Sequence, residues 1–237
     1  MDTSTYLVRR GEIEQYFDRT AMQAWEQLTS SAPVGRIRAT VRAGRDRMRQ
    51  TLLDWLPADL SGRRILDAGC GTGAFAVAAA QRGAEVVAVD LSPSLVQVAQ
   101  RRAAQLPALQ EAVARIDFRS GDFSDPALGR FDHVVAMDSL IHYRTDDAVR
   151  VLQAWAPRVE RSMLFTFAPA TPALRAMHAV GRLFPRGDRA PAIVPVDEHE
   201  LRRRLVERAA PWACGRSVRI ASGFYTSQAF ELEAPRR

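Results

Sequence analysis

The middle of the chain alternates short apolar runs with stretches that carry apolar residues at helical spacing. Residues 64–67, 85–90, 116–120, 131–137 and 161–167 have the length and apolar content of strands. Residues 74–82, 93–105 and 146–156 read as helices. Ser92-Pro93 marks one helix start, with a capping hydroxyl and proline in the first turn. The alternation predicts a parallel sheet with helices on both faces. Ligands of such sheets sit beyond the carboxyl ends of the strands.

Both flanks add to this α/β unit. Residues 12–28 read as an amphipathic helix with Ile13, Tyr16, Phe17 and Trp25 as apolar members, broken by Ser30-Ser31-Ala32-Pro33. Residues 36–56 read as a second helix, ended by Pro57, with Met48, Leu52 and Trp55 turned inward. Residues 169–196 form an insertion after the fifth strand: a helix from Thr171-Pro172 to Leu183, then a loop marked by Pro185, Gly187, Pro191 and Pro195. Asp197 caps a last helix over 198–209, and strands 217–221 and 224–231 finish the chain around Ser222-Gly223. The expected division is an N-terminal helical segment, 1–60, and an α/β domain, 61–237, with 168–196 covering the substrate. The N-terminal segment and the insertion are expected to fold over the active edge as a lid.

Composition narrows the setting. A length of 237 residues with 47% hydrophobic content suits one domain with additions. No apolar run is long enough to span a bilayer, and the first residues lack the regions of a signal peptide. The two cysteines, Cys70 and Cys214, make no disulfide framework or metal pair, so a cytoplasmic setting is expected. The net charge is +6, and all 33 basic residues are arginine. That balance admits nucleic acid, an anionic membrane surface or an acidic small molecule. Arg38, Arg42, Arg45 and Arg49 are spaced to share one helix face, either a solvated face or an anion-binding wall.

The chemistry concentrates at Asp67-Ala68-Gly69-Cys70-Gly71-Thr72-Gly73. Strand, glycine turn and helix together make a ligand site from backbone. Asp90 ends the next strand, twenty-one residues after Gly69, and suits a ribose. Gly69-x-Gly71-x-x-Ala74 also satisfies a loose dinucleotide pattern. Two features favour S-adenosylmethionine. Asp67 would hold the cationic amino end of a methionine but repel a pyrophosphate. Gly121-Asp122-Phe123, after the third strand, stands where an adenine amino group would be read. The expected cofactor residues are Asp67, Gly69, Cys70, Gly71, Gly73, Asp90, Leu91, Asp122, Phe123 and Met137. This set resembles the class I methyltransferases. That resemblance implies a Rossmann-like fold with a mostly parallel seven-stranded sheet and a C-terminal antiparallel hairpin.

The fourth strand leads into Met137-Asp138-Ser139-Leu140-Ile141-His142-Tyr143. The aromatic-proline motif of amino methyltransferases is absent there. No aromatics interleave the basic residues for stacking on single strands, so no nucleic-acid partner is expected. Tyr16-Phe17, Thr20, Trp25, the arginine-rich helix into Asp54-Trp55-Leu56, Leu140-Ile141-His142-Tyr143 and Phe167-Ala168-Pro169 resemble the magnesium-protoporphyrin IX O-methyltransferases of bacteriochlorophyll synthesis. The likeness runs along nearly the whole chain. Chlorophyll-type members carry a tyrosine where Thr29 stands.

The resemblance implies methyl transfer from S-adenosylmethionine to one propionate of magnesium protoporphyrin IX. The acid is already ionised at neutral pH, since its reference pKa is near ~4, so placement matters more than a base. His142, Tyr143 and Tyr16 are the candidates for placement, each with ordinary core packing as its alternative. The magnesium belongs to the substrate, and no protein-bound metal is expected. Docking on magnesium chelatase and peripheral contact with anionic membrane are further expectations. The competing functions are methylation of another small acid or a phenol, as in a quinone pathway, and a non-enzymatic carrier of an adenosyl ligand or porphyrin.

Overall fold

The computed structural model describes residues 3–19, 35–170 and 193–235. Thr20, Trp25, Thr29 and the expected helix from Thr171, with His178, lie outside the described residues.

Seven strands follow the order β3-β2-β1-β4-β5-β8-β7, and a short β6 pairs with β5 off this path. β1 (Arg64–Ala68), β2 (Glu85–Asp90), β3 (Ile116–Ser120), β4 (Phe131–Ala136) and β5 (Val159–Pro169) run parallel. β7 (Ala213–Ser222) and β8 (Tyr225–Glu233) form the antiparallel hairpin, with β8 against β5. Strand order reverses between β1 and β4, and at such a switch the flanking connections leave a crevice. Asp67 is in register with Ala88 and Val135, so the acid and its neighbouring strand ends share that crevice.

Among the described residues the helices are α1 (Thr3–Arg19), α2 (Arg36–Trp55), α3 (Ala74–Gln81), α4 (Pro93–Ala104), α5 (Gln110–Val113), α6 (Thr145–Trp155) and α7 (Glu198–Arg208). β1 is buried on both faces, which divides the core in two. Ile65 faces Met48 and Leu52 of α2 and Phe75 and Ala79 of α3. Leu66 and Ala68 face Ile13 of α1, Leu152 and Trp155 of α6, and Leu201 and Leu205 of α7. The Ser92 hydroxyl accepts the Leu95 N–H at 3.2 Å, the expected cap of α4.

Four boundaries differ from the sequence reading. α1 begins at Thr3, nine residues before the expected start at 12. Leu7 and Val8 are exposed there, so the apolar pattern carries no inward face to betray the helix. β5 extends to Pro169 because it gains a second partner: β6 (Pro195–Val196) pairs with Ala168 and Pro169. Pro195, read as loop, is the first residue of that edge strand, where a missing N–H is tolerated. The hairpin is also longer than 217–221 and 224–231, because a register shift between Cys214 and Ser217 interrupts the alternation that marks a strand.

Candidate active site

One cavity of about 450 Å³ opens at the carboxyl edge of β1, β2 and β4. The glycine loop forms its floor. Gly69 has φ 84°, and an added Cβ would stand 2.4 Å from that of Ser139. Gly73 has φ 79° and caps α3 with no side-chain bond; its Cβ would press on Phe118 and Ala99. Glycine is required at both positions, by backbone conformation and by contact.

Asp67 is 1% exposed, and its Oδ2 has no hydrogen-bond donor among the described residues. Burial, then the nearby charge of Asp90, pushes its pKa up to about 8; the Ala76 N–H offsets this in part. Asp90 is better supplied. Its Oδ2 accepts the Gly71 N–H at 2.8 Å and its Oδ1 the Ser92 N–H at 3.0 Å. Burial still raises its pKa. Cys70 also lines the cavity, but burial and both acids push its thiol pKa well up, so it is wall and not nucleophile.

The turn after β3 is fixed from behind. Trp155 Nε1 donates to the Phe123 carbonyl at 3.1 Å, and the two rings meet edge-on at 5.6 Å. Phe123, Leu91 and Leu95 give the cavity an apolar wall. Asp122 does not line it. Its Oδ1 accepts the Tyr6 hydroxyl at 3.0 Å and both the N–H and hydroxyl of Ser124, and its Oδ2 accepts Arg10 Nη1 at 2.8 Å. Burial alone would raise its pKa, but the Ser124, Arg10 and Tyr6 bonds hold it below the usual value.

His142 ends a single 3₁₀ turn, Leu140–His142, just past β4. It is 8% exposed and lines the cavity with Tyr143, Met137 and Ser139. Arg9 Nε donates to the His142 carbonyl at 2.9 Å, and the Val194 N–H to the Ile141 carbonyl at 2.8 Å. Tyr143 is buried, which raises its hydroxyl pKa, and its ring stacks on Tyr6 at 5.2 Å.

Ten of the expected residues thus line one cavity: Asp67, Gly69, Cys70, Gly71, Asp90, Leu91, Phe123, Met137, His142 and Tyr143. Gly73, Asp122 and Tyr16 do not. From α1, Ile13 reaches the cavity and Tyr6 backs it. Tyr6, Arg9, Arg10 and Ile13 sit at helical spacing, a signal present in the sequence once the helix is extended to Thr3. Arg42, Arg45 and Arg49 line the opposite wall, whereas Arg38 is exposed and does not. Asp138 also lines the cavity and had no assigned role. His199 is exposed.

The residues fit S-adenosylmethionine. Asp67 Oδ2 and Ser139 Oγ are buried polar atoms without partners among the described residues, matched to a charged amino-acid end. The Asp90 carboxylate accepts backbone N–H groups on both oxygens and keeps lone pairs for a ribose. The apolar wall suits an adenine.

A doubly wound sheet closed by an antiparallel hairpin, with this pocket at its switch point, defines a class I S-adenosylmethionine-dependent methyltransferase. Comparison with known proteins goes further. A family model for the magnesium-protoporphyrin IX methyltransferase C-terminus matches residues 136–234, and a general methyltransferase-domain model matches 65–161. The magnesium-protoporphyrin O-methyltransferase of Rhodobacter capsulatus is 47% identical over 229 residues, covering 96% of this chain and 98% of the relative. That of Synechocystis is 28% identical over 221 residues, covering 92% and 94%. The crystal structure of magnesium protoporphyrin IX methyltransferase from Synechocystis with bound S-adenosylhomocysteine superposes with a TM-score of 0.82 at 27% identity, over 95% of this chain and 99% of that one. The chain belongs to the magnesium-protoporphyrin O-methyltransferase family.

Two outcomes follow for cofactor binding. A ligand ammonium beside Asp67 favours the ionised acid, so binding below pH 8 expels the Asp67 proton. At pH 7, S-adenosylhomocysteine should release close to one proton per site, read by calorimetry in buffers of different ionisation enthalpy. Its affinity should rise between pH 6 and 8, by at most about tenfold per unit, and stop rising where the ligand amine itself deprotonates, near ~8. Asp67→Asn should abolish the release; pH-independent affinity across that range would reject the assignment. Asp90→Ala should weaken binding by about 1–3 kcal/mol, the scale of lost hydrogen bonds to a charged group. Unchanged affinity in that variant would remove Asp90 from the ribose site.

Proposed function

We propose that the protein transfers a methyl group from S-adenosylmethionine to a propionate carboxylate of magnesium protoporphyrin IX, giving the monomethyl ester in bacteriochlorophyll synthesis. The observation that carries this reading is the pairing of a cofactor cavity with an arginine wall, Arg42, Arg45 and Arg49, in a chain aligned end to end with enzymes of that name.

When bound, S-adenosylmethionine supplies a methyl on a sulfonium, so that the ester O–C bond forms as the S–C bond breaks and a neutral thioether is left. The protein's task is then placement and drying. Asp67 and Ser139 hold the amino-acid end, and Asp90 the ribose. Leu91 and Phe123 flank the adenine, with Asp122 behind them. His142 and Tyr143, on the tight turn at the end of β4, orient the reacting carboxylate. Tyr16 has the weaker claim of the two tyrosines proposed from sequence, since it lies off the cavity wall. Ile13, Phe75 and Met137 contribute apolar wall that excludes water and strengthens each remaining polar contact. The arginines meet propionate charge.

The same reading includes residues 1–60 and 168–196 as the cover of the active edge, and docking on the magnesium chelatase that supplies the porphyrin. It also includes peripheral contact with anionic lipid at the cytoplasmic face, supported by the +6 charge. No helix of the described residues is long and apolar enough to cross a membrane.

Incubation with S-adenosylmethionine and magnesium protoporphyrin should yield the monomethyl ester by mass; its absence rejects the reading. His142→Ala should lower kcat roughly 10²-fold, the scale of a lost positioning contact, with S-adenosylhomocysteine affinity unchanged. Near-normal kcat would return His142 to a packing role. Flotation with anionic vesicles should be lost at high salt, because exposed charges are screened within about 10 Å at ~0.1 M; salt-resistant flotation would require an apolar anchor instead.

A further inference from the structure

We propose that Asp138 is a positioning residue for substrate, fixing Arg45 in the cavity wall as the anchor for a porphyrin propionate. This inference rests on the functional reading above and adds a residue to it.

Asp138 follows β4 directly and is the one non-glycine residue with positive φ, 55°, among the described residues. Its side chain is only 4% exposed. Donors from three elements converge on its carboxylate. Arg45 Nη1 of α2 reaches Oδ2 at 2.6 Å. The Tyr225 hydroxyl of β8 lies 3.1 Å from Oδ1, and the Ser227 hydroxyl 3.3 Å from the same atom. Thr166 Oγ1 of β5 accepts the Asp138 N–H at 2.8 Å and donates back at 3.3 Å. A carboxylate held this way has one orientation, and it presents Oδ2 to Arg45.

Both members of the pair line the cavity. Arginine presents five N–H donors in a rigid plane, so one edge can hold Asp138 while another meets a second carboxylate. The pairing also solves a chemical conflict. An uncompensated arginine would bind the substrate's carboxylates but draw electron density from the one that must attack. Beside Asp138 the pair is close to neutral and retains directional N–H groups.

The packing that brings Arg45 there depends on its neighbour. Gly44 is buried in the middle of α2, where glycine is unfavourable for a helix. An added Cβ would stand 2.5 Å from Tyr225 Cδ1. Gly44 therefore lets α2 lie directly on Tyr225, whose hydroxyl bonds the same Asp138, and the next residue spans to the carboxylate.

The test compares Asp138→Asn, Arg45→Gln and the double variant in the full-length chain, with saturating S-adenosylmethionine and varied magnesium protoporphyrin. Asparagine tolerates positive φ, so Asp138→Asn removes the charge and keeps the turn. Each single variant should raise KM about tenfold or more, as expected for a lost charge-assisted bond. Turnover should stay within about threefold, and S-adenosylhomocysteine affinity should not change. The double variant should be no worse than Arg45→Gln alone, since Asp138 acts through Arg45. Gly44→Ala should show the same KM rise. Wild-type KM in Arg45→Gln overturns the proposal. So does a double variant whose effects multiply, or a Asp138→Asn protein that loses thermal stability and cofactor affinity together with an unchanged KM. If the wild type makes no ester, the functional reading fails separately. Quenching of magnesium-protoporphyrin fluorescence then still reads the anchor: equal dissociation constants for wild type and Arg45→Gln overturn it.

Discussion

The carboxylate of Asp67 is buried, one of its oxygens has no donor among the described residues, and Asp90 adds a second negative charge nearby. Leaving an ionised carboxylate in such a place is costly. The fold imposes the arrangement all the same, because parallel pairing of β1 with β2 and β4 sets Asp67 at the edge where strand order reverses. The glycine loop cannot relieve it, since its N–H groups are committed elsewhere: Gly69 and Cys70 donate to the Val89 carbonyl and Gly71 to Asp90. Burial answers that cost by raising the Asp67 pKa to about 8, and a cation beside the acid would favour its ionised form where a pyrophosphate would not.

The opposite wall follows a different rule. The Asp138 side chain is also largely buried, yet its oxygens are crowded with donors from α2, β5 and β8. One acid is left hungry and the other is saturated. The first leaves an oxygen facing the cavity; the second pairs with a protein cation, Arg45. The two lie in one cavity, on the ends of β1 and β4, at the crevice where strand order reverses.

Legibility from sequence divides along the same line. The cofactor side is local: Asp67, Gly69, Gly71 and Gly73 occupy one turn, and Asp90, Leu91 and Phe123 stand at ends of strands that apolar runs announce. The substrate side is not. Asp138 is conspicuous only as the residue after β4, and its partners come from positions 45, 166, 225 and 227, which no short pattern connects. The arginine stripe was visible as a face, but only packing of α2 at Gly44 decides which members meet the cavity. Tyr6 was hidden because exposed Leu7 and Val8 blur the periodicity of the first two turns of α1. The long hairpin was shortened by the register shift near Gly215, where alternation fails although pairing continues.

α1 joins the two sides. Tyr6 and Arg10 hold Asp122, behind the adenine wall, while Arg9 holds the carbonyl of His142 and Tyr6 stacks on Tyr143. Thr5 extends the contact to Asp147 on α6. A single helix thus braces the turn after β3 and the turn after β4 through residues one helical turn apart. The turn after β4 has only a single 3₁₀ turn to hold it, and each of the two carries residues that line the cavity. Packing a helix across both makes the cofactor wall and the methyl-transfer edge parts of one rigid surface, so displacement of α1 would be felt at both.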